Sequence, residues 1–273
     1  MTMGSLKQML SLVSPIEFQA LQDICEYNDI TEGQLICAPE TITSIEMFMQ
    51  GIPQICCLSF FQHLVSLSLI QQSIPYIEGL HNCPCLEILR LNENLIKRLD
   101  GLESCTRLRE LYLHSNKIEH IKNISHLTDL EVLWLANNSI HEIGGLEHCV
   151  HLKELNVAQN PIKQVGEISK LKSLERLNAA ATNIGSFKIR QLSQALFLPW
   201  VIIHLNLSSM STSASMTAST NAQAGWKVSS MSLLLVIPKN TSAQKILLPP
   251  FLLMTKMLYL PVVQMKSLAM QLH

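Results

Sequence analysis

Leu64, Leu86, Leu108, Leu130, Leu152 and Leu174 follow one another at intervals of 22 residues without a slip. From each leucine the chain reads L-x-x-L-x-L, with Val157 and Ala179 at the last place in the final two units, then a polar residue eight places on and an aliphatic one two places further. Residues 86–96 (LEILRLNENLI) and 130–140 (LEVLWLANNSI) show the pattern in full. Carrying the register backwards gives a degenerate first unit with Ile42, Ile45, Met47, Gln50, Ile52, Ile55 and Leu58, so seven units cover about 154 of 273 residues. A fixed period of this length marks a repeat array, because a single coil cannot bury its own apolar side. The L-x-L core of each unit is a short strand whose alternate residues face in and out. Strands from successive coils then stack in parallel around one continuous interior.

Asn94, Asn116, Asn138 and Asn160 recur eight residues after the leading leucine, where the chain must leave the strand. Their amides suit buried backbone groups there, since an unmet buried donor or acceptor costs about 1–3 kcal/mol. These four are the expected structural ladder, with Gln50, Gln72 and Thr182 replacing asparagine in other units. Units of this length, with I-x-x-I-x-x-L after the asparagine, resemble the SDS22-like leucine-rich-repeat family. The resemblance implies an α/β fold: a leucine-rich-repeat solenoid, or horseshoe, with a parallel sheet on its concave face and short helical or 3-10 turns on its convex side. It also implies, as one functional class, a regulatory subunit that binds a Ser/Thr protein phosphatase catalytic subunit.

The flanks differ from the array at residues 42–195. Ser14-Pro15-Ile16-Glu17 reads as an N-cap, a proline at the first helical position and a capping-box glutamate, predicting a helix over 15–27. Its apolar residues Ile16, Phe18, Ala20, Leu21 and Ile24 are expected to cover the first coil, making residues 1–41 an N-terminal helical cap. After Phe187 the register fails: Arg190 stands where an apolar residue is due, and Pro199 falls in the next strand. All 21 acidic residues precede residue 176, along with 12 of the 20 basic ones. The formal charge of −1 therefore averages an acidic array with a basic tail, and neither part points to nucleic acid. Residues 196–273 read as an atypical, poorly ordered tail, in which Leu205-Asn206-Leu207 offers one terminal strand. Its apolar run 246–263 is interrupted by Pro249, Pro250, Lys256 and Pro261, so no membrane span is expected. The N-terminus carries no secretory pattern, which points to the cytoplasm and reduced thiols.

Catalytic, metal and cofactor chemistry find no footing. His114 falls on the exposed strand face, whereas His120, His126, His141 and His148 fall on other sides of the coil, so with Cys105 they do not converge on a metal shell. Cys83, Cys105 and Cys149 share the place held elsewhere by Phe61, Leu127 and Leu171, which makes them small core hydrophobes. Phosphate-binding loops, nucleophile elbows and zinc-protease helices are missing. Paired carboxylates such as Glu87 with Glu110 or Glu131 read as solvated faces.

What remains is the outward face of the strands. Its middle positions read Glu46, Ser68, Arg90, Tyr112, Trp134, Asn156 and Asn178 across the units. Adjacent strands lie about 4.7–4.9 Å apart, so Arg90, Tyr112 and Trp134 form one row. Asn92, Glu110, His114 and Glu154 flank it. Aromatic and arginine side chains dominate interface hot spots, which makes Arg90, Asn92, Glu110, Tyr112, His114, Trp134, Glu154 and Asn156 the expected protein-binding residues. The alternative is that Tyr112 and Trp134 cover each other and the neighbouring Ile88 and Val132, with no ligand preferred. The expected function is a non-enzymatic scaffold or adaptor with a protein partner. The phosphatase subunit and a ciliary or axonemal scaffold are the alternatives.

Overall fold

The computed structural model describes residues 14–184, apart from 53 and 167, and the backbone of two later strands, all within one unit, Met1–Lys239. In chain order the elements are α1 (Pro15–Tyr27), α2 (Glu32–Cys37), β1 (Ser44–Phe48), β2 (Ser66–Ile70), β3 (Ile88–Arg90), β4 (Glu110–Tyr112), β5 (Val132–Trp134), β6 (Glu142–Ile143), β7 (Glu154–Asn156), β8 (Gln164–Val165), β9 (Arg176–Asn178), β10 (Ile203–Asn206) and β11 (Ser232–Leu235). One seven-stranded parallel sheet runs β1-β2-β3-β4-β5-β7-β9. Ile45, Leu67, Leu89, Leu111, Leu133, Leu155 and Leu177 are register partners in succession, each at most 1% exposed. The 22-residue period is therefore the path length of one coil. Each such leucine, fully buried, contributes roughly 1.5–3 kcal/mol.

Opposite the sheet, the chain crosses on 3-10 turns at Leu58–Phe60, Leu80–Asn82 and Ile168–Lys170. The solenoid expected from the repeat is the solenoid observed, and among the described residues its α-helices lie before the first strand. A second parallel pair, β6 with β8, joins two coils across from the main sheet, which the periodicity did not foretell. The tail expected at 196–273 lies outside the described residues but for β10 and β11. β10 overlaps the strand expected at 205–207 and pairs in antiparallel fashion with β11 in a separate two-stranded sheet.

The asparagine ladder sews each coil to its predecessor. Asn116 Oδ1 accepts from Ile96 N at 3.0 Å, while its Nδ2 donates to Leu91 O at 2.9 Å and Leu113 O at 3.0 Å. Asn94, Asn138 and Asn160 repeat this set on Ile74, Ile118 and Ile140. Gln72 serves Ile52 N in the same way, whereas Gln50 is exposed and Thr182 donates within its own coil, to Ala179 O.

Two backbone features recur with the coil. The residue before each ladder position is left-handed: Met49, Gln71, Glu93, Ser115, Asn137, Gln159 and Ala181 have φ between 54° and 59°. A second left-handed site follows eight residues later at Cys57, Gly79, Gly101, Asn123 and Gly145. At Gly101, with φ +87°, an added Cβ would lie 2.0 Å from Ile77 O, so the coils approach there as closely as backbone allows.

At the N-terminal end, Ser14 and Glu17 form the expected capping box on α1. Asn28 then ends the helix: its Nδ2 donates to Ile24 O at 2.9 Å and its Oδ1 accepts from Glu46 N at 2.8 Å on the free edge of β1. An edge strand left bare invites unwanted pairing, and α1 covers part of it. Only Leu21 and Ile24 of the apolar residues expected against the first coil are buried; Ile16 is 76% exposed. The stripe facing the first coil pairs buried Leu21 and Ile24 with half-buried residues 17, 20, 25 and 28 at helical spacing, and Ile16 and Phe18 fall outside it.

Candidate functional site

The sheet brings the aromatic row together. Arg90, Tyr112, Trp134 and Asn156 are successive register partners on β3, β4, β5 and β7. The Arg90 guanidinium carbon lies 5.2 Å from the Tyr112 ring centroid, a cation–π distance. Tyr112 meets Trp134 edge to face, with centroids 5.2 Å apart at 75°. The His114 ring stands 6.0 Å from Trp134, tilted by 58°.

Carboxylates on the next row tie these rings down. Tyr112 Oη donates to Glu110 Oε2 at 2.9 Å, and Arg90 lies 3.9 Å from the same oxygen. Trp134 Nε1 donates to Glu154 Oε1 at 2.9 Å, and Arg176 pairs with the other oxygen of Glu154. The indole is thus half-buried and oriented rather than freely exposed. Burial and the Glu110 carboxylate push the Tyr112 phenol up to about 12, which keeps it a neutral donor. His114 is half-buried, and among the described residues its Nδ1 has no hydrogen-bond partner. Desolvation holds its imidazole below the ordinary value, so the ring is neutral at physiological pH. Asn92 is buried at 7% exposure and lies beneath the accessible surface.

A charged lip borders this face, one residue after each leading position, and reads Glu87, Arg109, Glu131, Lys153 and Glu175. Arg109 Nε donates to Glu131 Oε1 at 3.1 Å, and Lys153 takes the other oxygen. Hydrogen bonds from Lys153 and Arg109 hold the Glu131 carboxyl below its ordinary range. Glu131 is thus an ion-paired group rather than an isolated solvated one. Opposite charges spaced one coil apart were the signal that would have found it. Among the described residues, no three His, Cys, Asp or Glu side chains are placed to hold a metal ion. Among the same residues, no helix is long and apolar enough to cross a membrane.

Three overlapping stretches, residues 86–129, 106–148 and 128–169, match a family model described as "Leucine Rich repeats (2 copies)". Solved structures with a similar fold include internalin F of Listeria monocytogenes, at 24% identity over 60% of this chain and 50% of that one, with TM-score 0.49. Internalin C2 of the same organism is 21% identical over 60% of this chain and 82% of that one, with TM-score 0.49. A leucine-rich-repeat protein of Leptospira interrogans is 26% identical over 52% of this chain and 38% of that one, with TM-score 0.48. The chain spans only 28% of the length of the similar internalin J structure. Among curated proteins, none matches the sequence. Period, register and the family model over residues 86–169 together define the fold, a leucine-rich-repeat solenoid. Arrays of this kind generally serve as protein-interaction scaffolds, because stacked coils present an extended surface of fixed side chains.

Proposed function

We propose that the array is a non-enzymatic protein-binding scaffold whose sheet face, centred on Arg90, Tyr112 and Trp134, holds a segment or domain of a partner protein. The observation that carries this reading is the cross-linked row itself. Three hot-spot residue types stand in contact on an open sheet face, each oriented by a neighbour. Ring orientation set in advance lowers the entropy lost on binding. Glu110, His114, Glu154 and Asn156 complete the surface, with Asn92 beneath it.

Proximity labelling with the parent chain and Trp134→Ala tests the proposal. Loss of the indole is expected to weaken capture by about 2 kcal/mol or more, so that the face-dependent partners drop out while the circular dichroism of the array is unchanged. Equal labelling by mutant and parent would discard the row as the site.

The SDS22-like resemblance supports a narrower reading, a regulatory subunit on a Ser/Thr phosphatase catalytic subunit. Pull-down with that subunit, followed by its activity with and without residues 42–195, supports this only if both binding and rate change. Residues 44–187 also resemble leucine-rich repeat-containing protein 9. A ciliary or axonemal scaffold, within a cytoplasmic setting, is the reading that microscopy of a tagged chain addresses.

A further inference from the structure

Asn156 and Asn178 stand side by side on the sheet face as register partners of β7 and β9. Each turns its Oδ1 onto its own backbone, accepting from Ala158 N at 3.2 Å and from Ala180 N at 3.1 Å. A backbone N–H requires an acceptor, so this pairing fixes which way each carboxamide points and sends both Nδ2 groups outward. Among the described residues neither Nδ2 meets an acceptor. The two amides line a cleft of about 260 Å³ with Trp134, Glu154 and Arg176. Glu154, the one carboxylate in that lining, is already engaged by Trp134 Nε1 and by Arg176. Among the described residues, the side chains of that lining left without a partner are therefore two amide donors, beside an indole wall and one guanidinium that is half exposed, at 51%.

Resting on the protein-binding reading above, we propose that this cleft receives an aspartate or glutamate side chain from an extended acidic segment of the partner protein. Its two oxygens accept from Asn156 Nδ2 and Asn178 Nδ2, and an apolar neighbour in the same segment packs on Trp134. A carboxylate suits the site for three reasons. Charge-assisted hydrogen bonds are roughly twice as strong as neutral ones. Donors on adjacent strands, about 4.7–4.9 Å apart, are met by a group with two oxygens. Arg176, with Glu154 on one side, takes the incoming carboxylate on the other, the inverse of Glu131 between Arg109 and Lys153. The cleft is smaller than the roughly 300–1,000 Å³ of small-molecule sites, a size that fits one side chain.

The test is a titration of the isotope-labelled full chain with a blocked hexapeptide of alternating leucine and aspartate, beside its leucine–asparagine counterpart. The side-chain amide signals of Asn156 and Asn178 are expected to shift with the acidic peptide, which should bind at least about tenfold more tightly than the neutral one. Asn156→Asp with Asn178→Asp keeps both backbone hydrogen bonds and replaces the donors by acceptors. That pair is expected to lose about tenfold or more in affinity for the acidic peptide. Arg176→Gln, at an exposed side chain, should also weaken the acidic peptide and supplies the same answer if the double variant fails to fold. Equal affinity for the two peptides, absent shifts at the two carboxamides, or undiminished affinity in the variants would overturn the proposal. If the variants bind the acidic peptide like the parent while Trp134→Ala still loses its labelled partners, the cleft assignment falls and the face stands. Unchanged labelling by Trp134→Ala removes the face itself.

Discussion

Replacing Asn116 by alanine removes one amide from the middle of the ladder. Ile96 N, which donates to Asn116 Oδ1 at 3.0 Å in a buried position, loses its acceptor. An orphaned buried donor costs about 1–3 kcal/mol. The carbonyls suffer less, because Leu91 O keeps Asn94 Nδ2 at 3.0 Å and Leu113 O keeps Asn138 Nδ2 at 3.0 Å. The two shorter carbonyl bonds contribute about 0.5–1.5 kcal/mol each, so the expected total is about 2–6 kcal/mol. This is a large fraction of the roughly 5–15 kcal/mol that holds a domain folded. Urea unfolding of parent and variant, read by linear extrapolation, measures the difference.

Asn116→Asp sharpens the test. One carboxyl oxygen still accepts from Ile96 N, but the other would face the carbonyl oxygens of Leu91 and Leu113, now 2.9 Å and 3.0 Å from Nδ2. Only a protonated acid can donate there, so the folded chain raises that carboxyl above its unfolded value of about 3.9. A raised folded value means that this contribution is complete below the unfolded value and is lost as pH rises. The gap between Asn116→Asp and the parent should therefore be small near about pH 3 and widen towards pH 7. An alanine variant within about 0.5 kcal/mol of the parent, or an aspartate gap that does not widen with pH, would refute this account of the ladder.

Gly101→Ala forces a Cβ to within 2.0 Å of Ile77 O at φ +87°, and should destabilise the array by more than about 2 kcal/mol in the same assay. Gly51→Ala, at φ +71° with nothing within 4 Å, carries only the left-handed backbone penalty of about 1 kcal/mol and serves as its control. Equal losses would show that coil-to-coil approach is not what Gly101 serves. The buried thiols should resist alkylation of the folded chain at pH 8, since burial pushes Cys105 up to about 12 and Cys83 and Cys149 up to about 11. Mass spectrometry after brief iodoacetamide treatment is expected to find label on exposed Cys37 and, only after unfolding, on these three.

The solenoid was legible because every coil meets the same neighbours, so one burial requirement is written seven times in the sequence. Leu89, Leu111 and Leu133 repeat because each must fill the same place over the coil before it. The left-handed turn before each ladder position was not legible. Its occupants, from Met49 to Ala181, include no glycine, and the conformation is imposed by the coils on both sides rather than by local preference. Gly79, Gly101 and Gly145 did carry a signal, spaced in whole coils, which marks where backbone meets backbone. For the face, periodicity placed Arg90, Tyr112 and Trp134 in line. It could not foresee that Glu110 and Glu154 would engage the phenol and the indole, since those bonds cross rows and depend on how far each side chain reaches. The same limit hid the outward carboxamides, whose direction is decided by Ala158 N and Ala180 N.

The ladder also gives the array a direction. Ile74 N, Ile96 N, Ile118 N and Ile140 N each rely on an amide from the coil that follows, so each of these coils is clasped by its successor. At Ile162 the clasp is missing: Thr182 offers no amide, and Ile162 N turns to Asn160 O of its own coil at 2.8 Å. Among the described residues, the coils of β7 and β9 are therefore joined without the amide clasp that links the coils before them. The cleft beside Trp134 lies across that pair of coils, so an occupant bridging β7 and β9 would supply there a link that the ladder omits.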